Sequence, residues 1–259
     1  MTAPSAPADS PLVWQPDETP EPPGLANVER VLCVFAHPDD VDFAAAGTVA
    51  ALTARGVRVA YCLATDGQQG GYDPAVSRAD MAAIRRREQA AAARAVGVSE
   101  LTFLGHADGS LQPDLQLRRA ITAVLRTVRP ELVLTHNPVR NLERIHSSHP
   151  DHLACGEATL AAIYPDARNR FCYPDLGLEP WEVPRALLIG NEAPNYYVDV
   201  TTRLAQKRAA LLAHASQRPG IGAGADVEGF LAAMLRPNAR AAGLPDGRFA
   251  EAFRLIATS

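Results

Sequence analysis

From residue 30 onward, short unbroken apolar runs alternate with stretches whose apolar residues return every three or four positions. The runs RVLCVFA, VRVAYCLATDG, LTFLGHADG and ELVLTHNP predict strands. Between them AAAGTVAALTARG, DMAAIRRREQAAAARAVG and LQLRRAITAVLRTVRP predict helices, with Gly56 and Gly97 standing where the first two stop. The segment from Asp151 to Tyr164 reads as a further helix opened by an aspartate cap. Past residue 165 the pattern loosens. RALLIG and YYVDV read as strands, RLAQKRAALLAHASQ as a helix, RPGIGAGADVEG as a Gly-rich loop, and FAEAFRLIA as a short final helix or strand. Strand and helix in alternation predict an α/β fold, a three-layer sandwich with a mostly parallel sheet and helices on both faces.

No internal repeat and no linker divides the chain, so residues 27–259 read as one domain. Residues 1–26 are rich in proline and read as a tail or an extended arm over the surface. With 259 residues, 47% hydrophobic and 21% charged, the composition is that of a globular protein able to bury a full core. A net charge of -4 gives no sign of a nucleic-acid partner, and no apolar run is long enough to span a bilayer. The N-terminus has neither a basic region nor an apolar one, which argues against a secretory signal and for a cytoplasmic protein. Cys33, Cys62, Cys155 and Cys172 form no CxxC pair, and they read as reduced thiols rather than as a metal site.

The first strand ends unusually, in His37-Pro38-Asp39-Asp40. Ligands of open α/β sheets bind outside the carboxyl ends of the strands. A dinucleotide site would place G-x-G-x-x-G there; an imidazole and two carboxylates instead attract a cation. Pro38 suits the start of a helical turn, where positions i and i+3 lie together, so His37 and Asp40 can converge while Asp39 points elsewhere. A second cluster, His149-Pro150-Asp151-His152, repeats the arrangement at a helix start. Two imidazoles and one carboxylate with an open fourth position are a common catalytic zinc set, and His37, Asp40 and His152 could supply it. Asp39 is then left for proton chemistry and His149 for charge stabilisation. Fe(II) accepts the same set. His136 follows a strand at the same sheet edge and could line the site, whereas Gly67, Gly70 and Gly71 serve backbone geometry.

With these motifs in order, the chain resembles the LmbE-like zinc-dependent N-acetylglucosaminyl deacetylases, which include the de-N-acetylases of glycosylphosphatidylinositol and mycothiol biosynthesis. The resemblance covers most of residues 30–256, from AHPDD at 36–40 through GTVAALTARGVRVAYCLATDGQQGG, Arg85 and Glu88 in IRRRE, and LTFLGHADGSL to HPDH at 149–152. It implies a Rossmann-like, LmbE-like fold, zinc on His37, Asp40 and His152, Asp39 as general base, and His149 as the residue that stabilises the oxyanion or protonates the amine. Arg85 and Asp108 match positions that hold the sugar or polyol of some substrates. Two positions depart from the family. Many members carry glutamate where this chain has Val41, with an acid one place on at Asp42, read as a supporting or capping residue. Some carry tyrosine where it has Ser147.

The implied activity is removal of acetyl from an N-acetylated amino sugar, a small-molecule substrate, with metal-activated water as nucleophile. The alternatives are an amidase for a larger amide conjugate and a non-catalytic Rossmann-like binding module. Self-association is left open.

Overall fold

A computed structural model describes residues 10–19, 21–217 and 226–258. Its strands are β1 (Leu12–Trp14), β2 (Arg30–Phe35), β3 (Arg58–Thr65), β4 (Glu100–His106), β5 (Leu132–His136), β6 (Arg185–Ile189), β7 (Tyr196–Asp199) and β8 (Ala250–Ala257). Its α-helices are α1 (Asp40–Thr53), α2 (Arg78–Ala95), α3 (Leu115–Val128), α4 (Pro150–Ala161), α5 (Leu204–Ala213) and α6 (Val227–Ala241). All eight strands join one sheet in the order β1-β7-β8-β6-β5-β2-β3-β4. Only β8 runs against the rest, pairing antiparallel with both β6 and β7.

The central strand β2 reads as a continuous apolar run because both of its faces are covered. Val31, Cys33 and Phe35 pack into one layer with residues of α1, α2, α5 and α6; Leu32 and Val34 face the other layer, with α3 and α4. Helix α1 approaches closely enough that a Cβ on Gly47 would come within 2.6 Å of Val200. In α3, Leu117, Ile121 and Leu125 recur every four residues and are buried. The chain leaves β2 toward β3 on one side and later lays β5 on the other. That reversal opens a crevice at the carboxyl end of β2, the usual binding place in such sheets.

Three elements differ from the sequence reading. Leu12–Trp14, within the expected arm, forms an edge strand on β7, and its Trp14 is buried. Helix α4 is capped by His149, whose Nδ1 accepts from the Asp151 N–H at 3.2 Å; Asp151 is not the cap. Helix α6 begins inside the run read as a Gly-rich loop, taking in Val227, Glu228 and Gly229 behind the Asp226 cap; residues 218–225 of that run lie outside the described residues. Pro237 inside α6 interrupts the composition that would have announced it.

A buried ion pair braces the start of α1 from the far end of the chain. Lys207 Nζ donates to the carbonyls of Asp42 (3.1 Å) and Phe43 (2.7 Å) and to Glu251 Oε1 (2.7 Å). Glu251 also accepts from the N–H groups of Gly47 and Thr48 and from the Thr48 hydroxyl. Both charges are thus paired and fully hydrogen-bonded, the condition under which buried ions are tolerated.

Candidate metal centre and catalytic cleft

His37 leaves the end of β2, and the next residues turn directly into α1. Ligand-type atoms of three residues come together there, Asp40 turning a different oxygen to each ring: His37 Nδ1 lies 3.3 Å from Asp40 Oδ2 and 3.2 Å from His152 Nε2, which in turn lies 3.1 Å from Asp40 Oδ1. In a tetrahedral site with bonds of about 2.0–2.1 Å, neighbouring ligand atoms sit roughly 3.3 Å apart. These three residues therefore fit a metal of zinc's size. Other groupings also bring ligand-type atoms within 4.8 Å of one another: His37, His149 and His152; Asp40, His136 and His152; and His37, Asp108 and Asp151.

The surrounding charge favours a cation. His37 Nε2, on the far side of the ring, faces Asp151 Oδ2 at 3.1 Å and Asp108 Oδ1 at 3.2 Å. Burial pulls the His37 imidazole down, but the carboxylates of Asp40, Asp108 and Asp151 outweigh it and push it up to about 12. Asp40 is likewise held well below the ordinary carboxylate range: burial opposes this, and His152, His37 and His136 prevail. A carboxylate behind a ligating imidazole fixes its tautomer and raises its basicity. Asp151 has that position and is itself anchored by the N–H groups of Gly109 (2.7 Å) and Leu111 (3.1 Å). The sequence signal for it was present inside HPDH, where the cap reading concealed it.

Asp39 is not among these converging ligand groups but borders the same cavity as His37 and His152. It takes a φ of +97°, a conformation that costs a non-glycine residue about 1–3 kcal/mol and that aspartate and asparagine adopt more readily than most. Its carboxylate lies 3.1 Å from Arg85 Nη2. Burial and the adjacent Asp40 charge push Asp39 up to about 7, against the pull of Arg85. Arg85 is buried and also donates to the carbonyls of Pro38 and Gly67. A Cβ on Gly67, whose φ is +64°, would collide with that guanidinium, so the loop glycine makes room for it.

Behind Asp39 stands a polar chain that the sequence did not announce. Gln89 accepts from the Asp39 N–H at 2.8 Å and donates to Asp42 Oδ2 at 2.7 Å, and Asp42 Oδ2 meets His214 Nε2 at 2.8 Å. All three supporting side chains are fully buried. Asp42 thus supports the turn through Gln89. Gln89→Leu is expected to lower stability by about 1–3 kcal/mol, because it strips partners from a buried N–H and a buried carboxylate. Urea unfolding measures this, and an unchanged midpoint would contradict it.

His149 caps α4 at the exposed rim, its ring 5.0 Å from that of His37 and 5.2 Å from that of His152. Burial and the nearby His37 and His152 lower its pKa. His136, buried, stacks on His152 at 4.1 Å and lies 3.3 Å from Asp40. Burial takes it down to about 4, a neutral ring supporting the cluster. Asp108 accepts from the Gln69 N–H at 2.9 Å beside His37. His37, Asp39, Arg85, Asp108, His149 and His152 all border one cavity of about 300 Å³, and Asp40 lies behind His37 and His152. All seven residues singled out in the sequence therefore meet at one place.

The profile of the PIG-L family, GlcNAc-PI de-N-acetylase, matches residues 32–163, half of the chain. A diacetylchitobiose deacetylase of Thermococcus kodakarensis is 33% identical over 195 residues, 74% of this chain and 72% of that protein. The chain belongs to the PIG-L family. Among further PIG-L-like relatives, a probable N-acetyl-alpha-D-glucosaminyl L-malate deacetylase 2 of Bacillus anthracis is 32% identical over 202 residues, covering 74% of this chain and 83% of its own. The solved N,N'-diacetylchitobiose deacetylase from Pyrococcus horikoshii, complexed with its inhibitor MPG, superposes with a TM-score of 0.79 at 30% identity, over 89% of this chain and 84% of that one. Both histidine-aspartate clusters, with Arg85 and Asp108, fall inside the PIG-L match.

Proposed function

We propose that this protein is a zinc-dependent hydrolase that removes the acetyl group from an N-acetylglucosamine-type amino sugar. The observation that carries this reading is the convergence of His37, Asp40 and His152 within 3.3 Å, with the Asp39 carboxylate held separately on Arg85. Relatives named as deacetylases of acetylated glucosamine compounds support the substrate class.

His37, Asp40 and His152 would hold the metal, which when bound lowers the pKa of water to about 7 and polarises the amide carbonyl. The remaining work belongs to the protein's own groups. Asp39 takes the proton of the attacking water, general-base help worth about 10²–10⁴ in rate. Its link to Arg85 fixes the carboxylate's direction, and Gln89 fixes the backbone beneath it. His149 Nδ1 accepts the Asp151 N–H, which leaves the proton of the neutral ring on Nε2. From there it donates a hydrogen bond to the developing oxyanion, while the proton taken up by Asp39 passes to the departing amine. Loss of such a donor costs roughly 10²–10³. Arg85 and Asp108 line the cavity where the sugar hydroxyls lie. Among the described residues no helix is long and apolar enough to cross a membrane.

The test is release of primary amine from a panel of N-acetylglucosamine compounds, including diacetylchitobiose, by zinc-loaded protein with metal content measured in parallel. Turnover of at least one compound is expected. Stoichiometric zinc with no amine from any of them would rule the deacetylase reading out.

A further inference from the structure

A second cavity, of about 640 Å³, opens on the other side of the metal cluster, and Asp40, His136 and His152 form its inner end. His152 borders both cavities, one of them lined also by Asp40 and the other by His37. Their linings differ. The first is polar, with Gln69, Arg85 and Asp108 among its walls. The second has more apolar wall, from Phe43, Ile189, Pro194, Met234 and Pro237, interspersed with Arg144, Asn191, Asn238 and Glu251. Met234 and Pro237 lie three residues apart on α6 and so share a face, and the Phe43 ring meets Phe230 of the same helix edge to face at 6.0 Å. Except for Phe43, the apolar walls come from β6, the loop after it and α6, all beyond the stretch that the family profile matches.

We infer that this second cavity is an acyl subsite, built for N-acyl groups longer and more apolar than acetyl. The inference rests on the deacylase reading above, and it adds the acyl range. An amide at the metal cluster presents two ends, the amino sugar and the acyl carbon. A chain of methylenes finds apolar contact along Phe43, Ile189 and Met234, whereas Gln69, Arg85 and Asp108 in the first cavity offer a sugar's hydroxyls a denser set of partners. The first cavity therefore suits the sugar, and the more apolar second one the acyl chain. Its size lies in the range of small-molecule sites, far more than one methyl group occupies. The reaction is unchanged by chain length. The C–N bond breaks and a C–O bond to water forms; one water proton passes through Asp39 to the amine, and the other leaves the new carboxylic acid, giving the carboxylate and the protonated amine.

The test compares kcat/KM for N-acetyl, N-butyryl and N-hexanoyl forms of glucosamine and chitobiose with the zinc-loaded enzyme. Each buried methylene is worth about 0.8 kcal/mol, about fourfold. The hexanoyl-to-acetyl ratio is therefore expected above one. Met234→Trp, and the milder Met234→Phe should the first not fold, narrow the cavity and are expected to lower that ratio at least tenfold. A ratio below one, or a ratio unmoved in a folded variant, overturns the acyl subsite and leaves the deacetylase reading in place. No turnover of any compound, acetyl forms included, overturns both.

Discussion

Asp39→Asn is expected to keep its metal and to lose about 10²–10⁴ in kcat, the usual worth of a positioned general base. Asparagine is the informative replacement because of the backbone. At a φ of +97° an alanine would add strain of its own and confuse loss of the carboxylate with collapse of the turn. Asparagine tolerates positive φ and keeps the side-chain shape, while its amide cannot accept a proton at neutral pH. Arg85 retains the Pro38 and Gly67 carbonyls in the variant, so the cavity wall stays standing. Metal analysis and steady-state rates on the same preparation separate the two roles. Full activity with bound metal would remove Asp39 from proton transfer altogether.

His152→Ala is expected to do the reverse and lose the metal itself, with turnover falling to background. His152 offers Nε2 to the shared point with His37 and Asp40, and an alanine leaves only two of the three ligand atoms. The ring also stacks on His136, so its removal opens space beside a buried imidazole and takes one partner from the Asp40 carboxylate, which keeps the N–H and ring of His37. Dialysed protein is expected to fall well below one metal per chain, where the unaltered protein retains one. Full retention would move the metal to the cluster of His37, Asp108 and Asp151, which contains no His152. Together the two variants separate holding the metal from using it.

The centre of the site was legible because its chemistry is local. His37 with Asp40, and His149 with His152, are three residues apart at helix starts, and spacing of that kind survives without knowledge of the fold. The parallel sheet was legible for a similar reason, since β2, β3 and β5 are unbroken apolar runs that only a doubly covered strand needs. What could not be read depends on contacts between distant residues. Gln89 looks like an ordinary helix residue until Asp39, 50 positions earlier, turns its N–H toward it. Asp151 sits at a helix start, where a cap is the ordinary reading, and its tie to His37 spans 114 positions. Helix α6 gave no sign of itself because Pro237 and the preceding glycines resemble a loop in composition.

The brace on α1 bears on how the site comes into being. A fragment ending near residue 163 would carry every side chain assigned to the metal and the proton, and it would still lack Lys207, His214 and Glu251. Those three secure the carbonyls, the amides and the Asp42 carboxylate on which the first turn rests. The metal and proton chemistry is thus written in the first two thirds of the chain, while the geometry that makes it useful depends on α5, on the turn after it and on β8, the strand that lies between β6 and β7.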